Sequence, residues 1–151
     1  MAIPFETMQA LIGWQFPGGK FTIEGWENFL MYDVTLGEAP RHGLGHPIYA
    51  FHAPLAGMGL TYEEFFDVCH AETPDRIRAG EYDFVYNEPL REGVEYTISG
   101  EIEHVERKRG NRAGLFDLVK FRLDMTDPEG TVACSAGNSW IFLRSDDDAA
   151  R

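Results

Sequence analysis

Basic residues are scarce in this chain. Thirteen Lys and Arg stand against 25 Asp and Glu, a formal net charge of −12. A surface of that sign repels nucleic acid and anionic membrane, so neither is expected as a partner. A local basic patch can still overrule the global sign for a small phosphorylated ligand. Cysteine is scarcer. Cys69 and Cys134 lie far apart, and no CxxC occurs. Two thiols cannot close a tetrahedral zinc site, and apolar neighbours mark both as reduced, buried thiols. Three histidines fall within eleven residues, but there is no HxxxH helix and no supporting carboxylate spacing, so no metal is expected. No apolar run approaches the roughly 18 residues of a membrane span. The opening MAIPFETMQALIGW carries acid early and no basic region, unlike a signal peptide. The expectation is a soluble, cytoplasmic chain.

What is present fits one domain. The 151 residues, 44% of them hydrophobic, can bury a core without metal or disulfide staples. We place the domain at 1–144 and an acidic tail at 145–151. The first twenty residues read as an irregular arm closed by Pro17-Gly18-Gly19. Ile23, Trp26, Phe29, Leu30, Asp33 and Val34 then recur at three- and four-residue spacing. They predict a helix with Thr22 as N-cap, ended by Gly37 and Pro40. Residues 37–59 are dense in Gly and Pro and contain His42, His46 and His52, the signature of a long functional loop. Thr61-Tyr62-Glu63-Glu64 fits a capping box opening a helix over 61–69.

Beyond His70 the period changes to two. Strands are predicted over 82–86, 96–103, 116–126 and 131–143, with a connecting loop at 106–111 and a tight reversal at 126–130. Helices followed by long antiparallel strands make an α+β chain with a curved sheet. The helix at 61–69 is the expected occupant of its concave face.

Three stretches resemble the MaoC-like hydratases: Ile23 to Glu38, the turn and strand from Tyr86-Asn87-Glu88-Pro89-Leu90-Arg91-Glu92-Gly93 through Ile102, and the hairpin from Val105 to Gly130. The resemblance implies a single hot-dog domain, a curved antiparallel sheet wrapped around a central helix. It also implies pairing with a second hot-dog chain, as a homodimer or heteromer, with the site at the pair interface. The implied substrate is an acyl-CoA or acyl-carrier-protein thioester, with no cofactor. The implied reaction is hydration of an enoyl thioester or dehydration of a 3-hydroxyacyl thioester.

The family's catalytic loop reads Asp-x-Asn-Pro-x-His. The best match here is Leu44-Gly45-His46-Pro47-Ile48-Tyr49, in which only Pro47 agrees. That departure resembles the non-catalytic half of heteromeric relatives, which forms the acyl tunnel while a partner supplies acid and base. A second resemblance, to acyl-carrier-protein dehydratases, keeps the chemistry in this chain. His46 would then be the base and Glu63 or Glu64 the acid. A hot-dog thioesterase is a third reading.

The residues themselves supply further candidates. Asp33 is an acid close to the loop. Tyr49 and His52 are placed to line the substrate site. Gly57 and Gly59 could let a thioester carbonyl approach the amides at the next helix's N-terminus. Arg107, Lys108, Arg109 and Arg112 gather four cations in six residues of an acidic chain and are expected to meet CoA phosphates. His70 and His104 are read as structural.

Overall fold

The computed structural model describes residues 3–38 and 42–145. Pro40 and nearly all of the acidic tail lie outside them. Five strands form one antiparallel sheet: β1 (Gly19–Thr22), β2 (Ile77–Tyr86), β3 (Glu95–Gly110), β4 (Gly114–Thr126) and β5 (Val132–Leu143), in the order β1-β3-β4-β5-β2. The alternation is plain in β4, where Asp117, Val119, Phe121, Leu123 and Met125 turn inward. β1 and β2 are the edges. A one-turn 3-10 helix, Pro74–Arg76, leads into β2.

Four helices complete the chain: α1 (Phe5–Gln9), α2 (Gly25–Val34), α3 (Tyr49–Ala56) and α4 (Tyr62–Val68). The helix in the middle of the concave face is α3, not the one predicted over 61–69. Tyr49, Ala50 and Ala53 enter a core patch with Ile98, Met125 and Cys134, while Leu55 enters a second patch with Phe65, Phe121 and Trp140. A helix buried on most sides has no polar stripe to announce it, and Pro54 inside it reads as a breaker. Alanines at 50 and 53 let its backbone approach the sheet. The helix α4 covers the other half of the concave face, with Phe65 ringed by Phe16, Phe121 and Trp140 at centroid distances of 5.0–5.4 Å. Its capping box is present as predicted: Glu64 N–H donates to Thr61 Oγ1, and Glu64 Oε2 accepts from Thr61 N–H.

Several boundaries differ from the sequence reading. The arm at 1–20 contains α1 and the start of β1. Thr22 ends that strand, and Glu24 is the N-cap of α2. The strand β2 begins five residues earlier than predicted. The supposed loop at 106–111 is strand as far as Gly110, because β3 and β4 pair register for register from Glu106↔Leu118 to Gly110↔Gly114.

Candidate functional site

The helix α2 is tied to the body by one polar side chain. Asn28 is fully buried; its amide donates to Leu44 O at 2.9 Å and to Glu92 Oε1 at 2.6 Å, and its carbonyl accepts from His46 N–H at 2.7 Å. Its large apolar side chains point outward. Trp26, Leu30 and Val34, spaced four apart on one row, are 65%, 48% and 72% exposed. The predicted apolar face of this helix is real, but nothing among the described residues covers it.

Between this row and α3 lies an open cleft of about 290 Å³, lined by Trp26, Glu27, Leu30, Val34, Tyr49 and His52. A second cleft of about 360 Å³ follows α3 onward past Leu55, Met58 and Leu60 to Tyr62. Both include His52, so together they make one mostly apolar groove along the exposed flank of α3. The His52 ring is solvent-exposed, stands edge-on to Phe21 at 5.7 Å and makes no hydrogen bond among the described residues. Tyr49 is almost fully buried beneath it. Burial raises the Tyr49 phenol above its ordinary value, and the Glu27 and Glu92 carboxylates add to the rise.

A larger cleft, about 470 Å³, lies beside the loop, lined by Tyr32, Leu44, Pro47, Tyr86 and Glu88 among others. Its lining is chiefly apolar, its one carboxylate has no imidazole beside it, and the Tyr86 hydroxyl donates to Pro47 O. Size alone does not make it the reactive site. Among the described residues no group of three His, Cys, Asp or Glu side chains converges as a metal site.

The other predicted residues fall elsewhere. Both ring nitrogens of His46 are engaged. Ile48 N–H donates to Nδ1 at 3.1 Å, which leaves the neutral ring's proton on Nε2, facing Thr35 Oγ1 at 3.2 Å; the ring also stands edge-on to Tyr32. That histidine clasps the loop to α2. Asp33 is exposed near the end of α2 and lines neither cleft of the groove. Glu63 is exposed on α4 and lines a separate cleft with Phe66 and Glu72.

The two glycines have packing reasons. A Cβ on Gly57 would meet Ile98 Cγ1 at 2.5 Å, and one on Gly59, where φ is +82°, would meet Gly18 O at 2.4 Å. The N-terminus of the seven-residue α4 already spends its Glu64 N–H on Thr61. Packing against Ile98 and Gly18 is thus reason enough for glycine at both positions.

The basic cluster also divides. Arg107 turns inward and grips the fully buried Asp117 with two hydrogen bonds, Nε to Oδ1 at 2.7 Å and NH2 to Oδ2 at 2.9 Å. That bond holds its guanidinium above the usual range. Lys108 pairs with Glu106 at 3.0 Å on the exposed face. Arg109 and Arg112 sit at the end of the β3–β4 hairpin. Lys108 is ten residues along β3 from Ile98, the strand's contact with Gly57, which is about 33 Å of extended chain. The Arg107 fork is occupied, and the cluster stands at the far end of the sheet from the α2–α3 cleft.

Glu27 is the ionisable carboxylate of the groove that sequence reasoning missed, along with its apolar lining. It sits in the first turn of α2, where a carboxylate is ordinary and carries no signal.

An antiparallel sheet in the order β1-β3-β4-β5-β2, curved round a buried helix, defines the hot-dog class of folds. Comparison with solved structures finds the same fold in proteins of low sequence identity. It superposes on the HadBC (3R-hydroxyacyl-ACP dehydratase) complex from Mycobacterium tuberculosis with a TM-score of 0.64 at 14% identity, covering 87% of this chain and 96% of that one. The ChsH1–ChsH2 complex from Mycobacterium tuberculosis gives 0.70 at 10% identity, covering 94% and 90%. A MaoC-like dehydratase gives 0.69 at 17% identity over 92% of this chain; the match spans 44% of that longer chain. No family model and no curated protein matches the sequence. The chain thus has the hot-dog fold.

Proposed function

We propose that the chain is a subunit of a paired hot-dog enzyme that adds water to, or removes it from, an acyl thioester, with the groove along α3 as its acyl channel. The observation that carries this reading is the groove itself. It is mainly apolar, with an imidazole, His52, shared by both clefts and a carboxylate, Glu27, in the first, the two kinds of group that proton transfer to and from an acyl chain requires. Its open side is flanked by the apolar row of α2. A second hot-dog chain lying there would close the channel, exclude water and strengthen every polar interaction inside. The edge strand β2, ten residues long with no neighbour on its outer side among the described residues, offers backbone groups to the same partner.

The test is an assay of the purified protein, alone and with the product of the neighbouring gene, against crotonyl-CoA and a longer 2-enoyl-CoA. Loss of enoyl absorbance without release of thiol supports the proposal. Release of CoA, followed with a thiol reagent, would make the protein a thioesterase instead. A protein that neither binds nor changes acyl-CoA in either preparation refutes the reading. Sedimentation should show a species larger than one chain, and Trp26→Ser should weaken it.

A further inference from the structure

We infer that Glu27 and His52, which line one cleft from α2 and α3, are the acid–base pair of this chain, in place of the loop at 44–49. The inference rests on the reading of the groove as an acyl channel and adds the residues that do the chemistry there.

The argument is one of elimination by geometry. His46 has no free ring nitrogen, because one accepts from Ile48 N–H and the other faces Thr35. Asp33 and Glu63 line neither cleft of the groove. Tyr49 is buried, with no access for a substrate. Within the first cleft the remaining ionisable groups are Glu27 and His52, and His52 alone also reaches the second. Its nitrogens make no hydrogen bond among the described residues, while Phe21 stands edge-on to the ring and Tyr49 lies tilted beside it. Glu27 lines that same cleft with Tyr49 and His52. The surrounding Trp26, Leu30 and Val34 give both groups an apolar setting once a partner covers that side.

In the hydration direction the Glu27 carboxylate takes a proton from water as the water oxygen bonds to Cβ of the enoyl thioester. The π pair of the Cα–Cβ bond moves to Cα and the thioester carbonyl. The His52 imidazolium then delivers its proton to Cα. Glu27 has gained one proton and His52 has lost one. Exchange with bulk water restores both, so the net change is addition of one H2O. Dehydration is the same sequence reversed. Neutral His52 removes the Cα proton, and protonated Glu27 gives its proton to the departing hydroxyl.

The experiment compares wild type with Glu27→Gln and His52→Gln as the intact assembly, measuring crotonyl-CoA hydration and, separately, binding of butyryl-CoA, which cannot be hydrated. The expected result is a fall in kcat of about 100-fold or more in each variant, with KM and butyryl-CoA binding within about threefold of wild type. Neither side chain is buried in the core, so retained butyryl-CoA binding also certifies the fold. Turnover near the wild-type rate in either variant overturns the pair. Hydration at the wild-type rate in both variants assigns acid and base to the partner chain. Wild type that binds butyryl-CoA but hydrates nothing overturns the pair and leaves the acyl-binding reading standing. Wild type that binds neither overturns both.

Discussion

Removing the Asp117 carboxylate should be among the most damaging single changes in this protein. Asp117 and Arg144 are both essentially inaccessible to water, and Arg107 is mostly covered. Asp117 accepts two hydrogen bonds from Arg107 and a third, at 2.7 Å, from Arg144 Nε. Arg144 donates onward to Cys69 O at 3.0 Å and to His70 O, the free carbonyls at the end of α4, and touches Met8 of α1. The one carboxylate therefore ties β3, β4, the end of β5 and two helices together. In Asp117→Ala the Arg144 guanidinium stays buried with no counter-charge. Breaking a buried pair by deleting one partner costs about 3–5 kcal/mol. For a domain of this size that lowers Tm by about 10–15 °C. By contrast, Lys20→Ala removes an exposed pair with Glu95 and should cost under about 0.5 kcal/mol. The double variant Asp117→Leu/Arg144→Met, which removes both deeply buried charges, should recover about half the loss or more. Thermal and urea melts of the four proteins decide the matter. A loss below about 1 kcal/mol in Asp117→Ala would refute the argument, since a lone buried guanidinium cannot be that well tolerated.

Three further outcomes are expected. Thr61→Ala removes half of the capping box of α4 and should cost about 1 kcal/mol, read from urea unfolding. Gly59→Ala meets both a positive φ and the Gly18 carbonyl, and should cost about 1–3 kcal/mol while altering the groove at Met58 and Leu60. Burial pushes the Cys69 thiol up to about 12 and the Cys134 thiol up to about 11. The folded state therefore holds protons that the unfolded chain releases near pH 8.5–9. Stability should be unaffected by these thiols below that range and should fall as pH rises from it toward 12. A thiol reagent at pH 8 should find neither cysteine in the native protein and both after denaturation.

The identity and direction of the strands after residue 95 were open to sequence reasoning because a sheet with one buried face writes its alternation into the chain. Val119, Phe121, Leu123 and Met125 could hardly be read otherwise. The capping box at Thr61 and the reversal at 126–130 were equally plain, since each is a bond between residues three or four apart. The central helix was not plain. Tyr49–Ala56 is buried on too many sides to show a period of 3.6, and its proline imitates a loop. The pairing of Arg107 was hidden for a related reason: a sequence counts the charges at 107–112 but cannot say that Asp117, on the next strand, will claim one of them.

The α+β class and the cap of α4 were determined by the sequence alone, because the alternation of each strand and the bonds of the cap are local; the pairing of β1 with β3 and of β2 with β5 spans tens of residues and belongs to the fold. The site belongs to the tertiary structure. Glu27 and His52 are 25 positions apart, on helices whose own periodicities say nothing of each other, and they share a cleft because Asn28 pins α2 beside the loop that leads into α3. The same packing engages both ring nitrogens of His46, whose ring became part of that pin. Function here depends on which side chains the fold leaves unengaged, and only the folded chain shows which hydrogen bonds have already been made.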